Sequence, residues 1–339
     1  MKRRIWTIAA GLASVAALIV VPSALAAYTS TKLEIQQVGT TLAARITADP
    51  ADDPTASTRV FAPTGTQLTT TQAPGTVLGP VTANAKALGL GGADVPLTGQ
   101  IIVAAPGQVP TSQSAPCLQG ATPIATWIMA LQAAGQTSNI PLYLVATSGA
   151  TTPLGPAYVQ VCLPPPDIPE SQGGAPLGLK LYSATLTIKG VFSPVPLGAW
   201  ISFWTPYTPG TGKPNVAGTI AAPAAVAPGA VSAAAKKRGP GAIVAGRVTQ
   251  AERGRGGATV TIRGGIKPSA LKKLGSVTVK ANGSYSFRAK RGTFFKVTAV
   301  AKSANAAPLC TALAALLPYP CVNPTTSGFT AQSRTVKKK

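Results

Sequence analysis

The sequence predicts an all-β protein: two β-sandwich domains joined by an Ala/Pro/Gly-rich linker, behind an N-terminal signal peptide. Three observations predict it. Long amphipathic runs of good helix formers are missing, since Glu, Lys and Arg are sparse before residue 236. Short Val/Ile/Thr/Tyr segments bounded by Gly and Pro dominate instead, as in sandwiches and barrels. Charge, finally, divides the chain. Positions 27–235 hold seven basic and seven acidic residues, whereas 236–339 hold twenty basic residues against Glu252 alone, a net of +19.

The first segment reads as an export signal. Met1-Lys2-Arg3-Arg4 is a positive n-region, 5–21 is apolar, Pro22 breaks the run, and Ala24-Leu25-Ala26 is a small-x-small cleavage site. Cleavage is expected after Ala26. An uncleaved anchor is the alternative, because 5–26 is nearly long enough to span a bilayer. An exported chain is expected in a secreted or cell-envelope location. Its four cysteines should then form two disulfides. Cys117–Cys162 and Cys310–Cys321 are preferred, because each pair stays within one module. A zinc site would compete for them, but CxxC spacing is missing and there is no His.

Domain one is expected over 27–220, with strands at 32–37, 41–48, 98–104, 125–131, 141–147, 158–163, 180–189 and 199–205. Its length suffices for one core, filled by residues such as Trp127, Leu144, Val161, Leu186 and Trp200. The low-complexity stretch 221–241 (AAPAAVAPGAVSAAAKKRGPG) reads as the linker.

Domain two, 242–339, is expected to hold strands at 242–250, 258–263, 276–280, 284–290, 293–302 and 329–336. Period-2 alternation sends Val244, Val248, Val260, Ile262, Val277, Val279, Tyr285, Phe287, Phe295 and Val297 inward. The same alternation puts Arg247, Arg263, Lys280, Arg288, Lys296 and Lys302 on the outward side, with Lys267, Lys272, Lys273, Lys290 and Arg291 in loops. Around Ala281-Asn282-Gly283, a two-residue Asn-Gly turn would mix the faces. A three-residue loop with Gly283 left-handed pairs Val279 with Tyr285 and Val277 with Phe287, so a bulged hairpin is expected.

Four runs carry a family likeness: Gly246-Arg247-Val248; Gly257-Ala258-Thr259-Val260-Thr261-Ile262; Asn282-Gly283-Ser284-Tyr285-Ser286-Phe287; and Gly292-Thr293-Phe294-Phe295-Lys296-Val297. Over 242–302 they resemble the carboxypeptidase regulatory-like domain. That resemblance implies a transthyretin-like seven-stranded sandwich serving as an accessory module in secreted bacterial proteins, with no catalytic residue to carry over. The chain departs from the family pattern in having Ala281-Asn282-Gly283 where the family has Asp-x-Gly.

Catalytic constellations are scarce. Without His, Ser-His-Asp and Cys-His machinery is excluded. Asp167 and Glu170 are close in a proline-rich loop, and they are read as solvated rather than as a glycosidase pair. Asp49, Asp52 and Asp53 lack the alternating spacing of a calcium loop and read as a turn. Ser269-Ala270-Leu271-Lys272 matches SxxK without its partner motifs, and Ser269 is read instead as the cap of a short helical turn. Gly210-Thr211-Gly212-Lys213-Pro214 lacks the Ser/Thr of a phosphate loop and reads as a turn.

The expected function is non-enzymatic and needs no cofactor or metal. The basic face formed by Arg247, Arg263, Lys280, Arg288, Lys296 and Lys302 would associate with anionic cell-wall polymer, acidic polysaccharide or membrane surface. Sequence-specific nucleic-acid binding is not expected, since the aromatics of domain two point inward. The alternative is a carbohydrate-binding module using exposed rings around Trp200 and Trp204, with Phe203 on the opposite face of that strand.

Overall fold

A computed structural model describes residues 28–133, 135–250 and 252–339; the signal-peptide reading lies outside them. The architecture is all-β and sandwich-like. The first unit contains β1 (Lys32–Val38), β2 (Thr41–Thr47), β3 (Thr55–Phe61), β4 (Val77–Ala87), β5 (Ala93–Val103) and β6 (Pro123–Ala133). It continues with β7 (Gln136–Ala146), β8 (Ala157–Cys162), β9 (Leu179–Lys189), β10 (Gly198–Thr208), β11 (Lys213–Pro214) and β12 (Ile220–Val226). Helix α1 (Thr111–Leu118) sits between β5 and β6.

Each of the eight strands expected in this unit is present. Together with β3, β4 and β12 they build one antiparallel sheet in the order β1-β2-β9-β4-β5-β6-β7-β8-β3-β10-β12. The sheet curls until its ends meet, so that β1 lies alongside β12. Its concave side encloses the core, and Trp127, Leu144, Leu186 and Trp200 are buried there with Val161 packed against them.

Strands β3, β4 and β12 are not evident in the sequence. In β4, Gly79 and Pro80 read as punctuation. Yet Gly79 marks a bulge, where an added Cβ would lie 2.2 Å from the Thr187 carbonyl oxygen, so only glycine lets the two backbones approach.

The second unit holds β13 (Gly229–Val231), β14 (Ala234–Arg238), β15 (Gly241–Gln250), β16 (Arg253–Gly254), β17 (Thr259–Gly265) and β18 (Lys272–Thr278). It adds β19 (Ser284–Ala289) and β20 (Phe294–Ala301). Next come β21 (Ala304–Asn305), β22 (Thr325–Thr326), β23 (Phe329–Gln332) and β24 (Val336–Lys337). One sheet centres on β15, flanked by β13, β14, β16 and β19; the other runs β18-β17-β20, with β23 and β24 both pairing β20. All ten residues expected inward contribute to the core between these sheets, Val277 and Phe287 at its margin.

Three expectations about connection are corrected. The stretch 221–241 is not an extended linker. Ala221, Ala222 and Ala224 are buried in β12, and only residues 227 and 228 separate β12 from β13. Small side chains are what that place requires, because Trp200 and Phe203 of β10 stand opposite Ala224 and Ala221.

Nor does 242–339 stay within one domain. Strand β22 pairs in parallel with β12, β21 pairs with β22, and Thr325 Oγ1 donates to the Leu33 carbonyl at 2.5 Å. Between them α2 (Pro308–Leu313) and the loop closed by Cys310–Cys321 lie on the outer face of the first unit.

Across Ala281-Asn282-Gly283 the three-residue bulged turn closes as expected, Gly283 N donating to Lys280 O at 2.8 Å and Lys280 N to Ser284 O at 2.9 Å, but the strands it joins do not pair onward as a hairpin. Gly283 is left-handed as expected, with φ +85°, and Asn282 Oδ1 accepts from Ser284 N and Oγ. But β18 pairs with β17 and β19 with β15, so the turn is a corner between sheets. Alternation required Val277, Val279, Tyr285 and Phe287 to meet in the core. Meeting across a sandwich satisfies that as well as meeting side by side.

Both expected disulfides are formed, Cys117–Cys162 and Cys310–Cys321. Such bridges point to an oxidising compartment. Among the described residues no helix is long and apolar enough to cross a membrane.

Candidate polyanion-binding surface

The six cations read as one face occupy several places. Arg247 and Arg288 lie on the outer side of the β15 sheet, Arg288 opposite Ile243 and Arg247 opposite Ser284. Arg247 Nη2 donates to the Asn282 carbonyl at 3.1 Å, close to Lys280 at the sheet corner. Arg263 and Lys296 lie on the outer side of the other sheet, and Lys302 follows β20 toward the first unit. A single basic face is therefore corrected to two faces on opposite sides of the sandwich. Alternation separates inward from outward but does not say which of two sheets a strand joins.

One group is closely spaced. Arg263 stands directly opposite Lys296 on β20 and opposite Lys273 on β18, so three cations cross three strands in one row. Cβ atoms of directly opposed residues are about 4.5–5.5 Å apart, and like charges so placed destabilise a sheet.

Lys273 reaches the row through a bulge. Ile262 pairs with Gly275 and Arg263 with Lys273, which leaves Leu274 as the extra residue. Gly275 lies on the inner side against Phe287. Without the bulge Lys273, two residues away, would share that inner side. Sequence reasoning placed Lys273 in a loop, because a bulge breaks the period that locates strands.

The β15 sheet adds a second basic strip. Lys236 pairs with Ile243, which in turn pairs with Arg288, and Arg238 stands at the end of β14. Reading 221–241 as linker hid both residues. The terminal lysines extend the basic surface: Lys337 pairs with Phe294, while Lys339 N donates to Ala235 O and Lys237 N to Lys339 O. Among the described residues the ion pairs are Arg45–Glu34 and Lys86–Asp94, both in the first unit.

The aromatic platform is corrected outright. Trp200 and Trp204 are 1% and 3% exposed, and Phe203 is buried too. Trp200 packs edge-on against Phe192 in the main core, and Trp204 against Tyr28. Phe203 does face outward from β10, but Tyr319 of the disulfide loop covers it edge-on at 5.0 Å. That cover arrives from over a hundred residues downstream, and alternation carries no sign of it.

Carboxylates in the first unit organise loops. Asp167 Oδ2 accepts from Gly210 N and Glu170 Oε1 from Leu177 N. Asp52 accepts from Thr29 N and Oγ1 and from Asp49 N. In this acidic turn the cation is Lys180, whose ammonium donates to the carbonyls of Pro50 and Asp52. Burial lowers the Lys180 pKa, and the surrounding aspartates oppose that shift. Ser269 lies in a turn leading into β18 rather than capping a helix, and 210–212 is a turn.

Comparison with family models finds no match, and comparison with curated proteins finds none. Among solved structures, dimeric latent PorU from Porphyromonas gingivalis is weakly similar. The alignment has 9% identity and a TM-score of 0.17, and covers 91% of this chain. The chain spans 34% of that protein's length.

Proposed function

We propose that this is an exported, non-enzymatic protein whose basic second unit holds it by charge to anionic polymers or surfaces of a cell envelope. Wall polymer, acidic polysaccharide and anionic membrane share the required chemistry. The reading rests chiefly on the Lys273–Arg263–Lys296 row. Opposed like charges cost a sheet about 0.2–1 kcal/mol per pair. A polyanion laid across the strands would neutralise that repulsion on binding. The near absence of acidic partners in 236–339 extends the argument to the whole unit.

The test uses the whole chain, since 242–339 lacks β13 and β14 and carries the segment that packs on the first unit. Retention on a sulfated-polysaccharide matrix should fall steeply between about 0.05 M and 0.5 M salt, as screening shortens the reach of exposed charge. A triple variant Arg263→Ser, Lys273→Ser, Lys296→Thr should elute at lower salt than the parent. Salt-independent retention, or elution unchanged in the triple variant, refutes the proposal.

A further inference from the structure

On the outer face of the first unit, β8, β3 and β10 place Gln160, Arg59 and Phe203 side by side in one cross-strand row. The next row is Cys162, Ser57 and Thr205. Helix α1, tied to β8 by Cys117–Cys162, walls one side, and the turn around Gly212, Pro214 and Val216 walls the other. Between them lies a cleft of about 340 Å³, with Arg59, Gln160, Tyr158 and Thr205 among its lining. That volume is in the range of small-molecule sites.

Arg59 is unlike the other shielded cations of this unit. Lys86 is 2.9 Å from Asp94, and Lys180 is enclosed by the acidic turn. Arg59 is half-buried, its guanidinium carbon 6.0 Å from the Phe203 ring centre. Among the described residues it has neither a carboxylate nor a hydrogen-bond partner. The Ser57 and Tyr158 hydroxyls also take part in no hydrogen bond there. Neighbouring groups are already engaged: Gln160 Nε2 donates to Cys117 O, Thr205 Oγ1 bonds Thr219 Oγ1, and Tyr207 donates to Leu163 O. A rigid, hydrogen-bonded frame thus surrounds one unpaired guanidinium and two free hydroxyls.

We infer that this cleft binds a small carboxylate-bearing ligand of monosaccharide size, such as a hexuronate, with Arg59 gripping the carboxylate. A planar guanidinium fork matches a carboxylate in a bidentate pair. One isolated positive charge balances one carboxylate, whereas a phosphate dianion calls for more donors than the cleft supplies. Ser57 and Tyr158 can then meet ring hydroxyls, and the ring rests between Pro116 and Pro214. The site is independent of the basic row on the second unit.

Titration calorimetry on the whole disulfide-bonded chain, with D-glucuronate as probe and D-glucose and inorganic phosphate as comparisons, tests the inference. Saturable glucuronate binding is expected, with glucose and phosphate each at least about tenfold weaker. Arg59→Lys should weaken glucuronate about tenfold or more, because an ammonium is not a fork. Arg59→Met should abolish it, and thermal melting confirms that each variant folds. The Arg263→Ser, Lys273→Ser, Lys296→Thr variant should bind glucuronate like the parent, which separates this site from the proposed surface. Undetectable glucuronate binding, equal affinity for phosphate, or unchanged binding in folded Arg59→Met overturns the inference.

Discussion

Arg263 and Lys296 face one another across neighbouring antiparallel strands, and among the described residues no carboxylate is paired to either. An ordinary sheet surface mixes signs at such positions. Here the repulsion is left in place, and Lys273 adds to it from the other side.

Removing one member should therefore stabilise the free protein. Lys296→Thr is expected to raise stability by about 0.2–1 kcal/mol at low ionic strength. The gain should shrink as salt screens the parent. Urea unfolding at low and high salt measures both. A destabilised variant at low salt would mean that the row is not under electrostatic strain.

Gln250 joins the two units at one point. It is buried at the end of β15, and its Nε2 donates to Ala227 O at 3.2 Å and Ser327 O at 2.8 Å. One carbonyl belongs to the chain entering the second unit and the other to the chain beside its return. Gln250→Leu orphans both carbonyls, at a cost of about 1–3 kcal/mol. Trp127, Trp200 and Trp204 all report on the first unit. In the parent, tryptophan fluorescence and far-ultraviolet circular dichroism should trace one transition, and in Gln250→Leu they should separate. Separate transitions already in the parent would show the units to be uncoupled.

Covering Phe203 is the task of the Cys310–Cys321 loop. Tyr319→Ala removes an aromatic pair worth about 0.5–1.5 kcal/mol beyond its buried area. Cys310→Ser with Cys321→Ser frees the loop and should cost about 2–3 kcal/mol. Both losses should appear in the tryptophan signal of the first unit, although the substitutions lie near the C-terminus. Tryptophan unfolding curves unchanged in both variants would mean that the loop does not protect that face.

Alkali should unfold the protein through buried tyrosines. Burial pushes Tyr285 up to about 12 and Tyr207 up to about 12, the charge of Asp167 adding to the latter, from an ordinary 10.0. A raised acid stays neutral when folded and ionises first when unfolded. Its stabilisation is complete below pH 10 and is lost as pH rises toward 12. Tyr285→Phe should flatten that decline. It should also lose about 1 kcal/mol near neutrality, because Tyr285 donates to Ser232 O at 2.6 Å. Stability titrated from pH 8 to 12 decides it; an equal slope in both proteins places the alkaline sensitivity elsewhere.

Val260, Ile262, Phe295 and Val297 show what was legible in the residues. Apolar side chains at period 2 declare an inner side, and all four are buried. The tryptophans show what was not. Alternation placed Trp200 and Phe203 on opposite sides of β10 but could not reveal that both sides are covered. Ala221 to Ala224 likewise looked structureless, because alanine carries no period-2 contrast. It is the bulk of Trp200 and Phe203 on the partner strand that makes alanine the residue that fits.

By itself the sequence determined the β class, the inner and outer sides of most strands and the segregation of charge, and it favoured the cysteine pairing that forms. These follow from local periodicity, composition and chain proximity. Tertiary structure alone decided that the outward cations divide between two sheets, that a bulge brings Lys273 beside Arg263, and that a distant loop covers Phe203. Strand partners are chosen by non-local packing, and a two-residue period cannot encode which neighbour a strand will take.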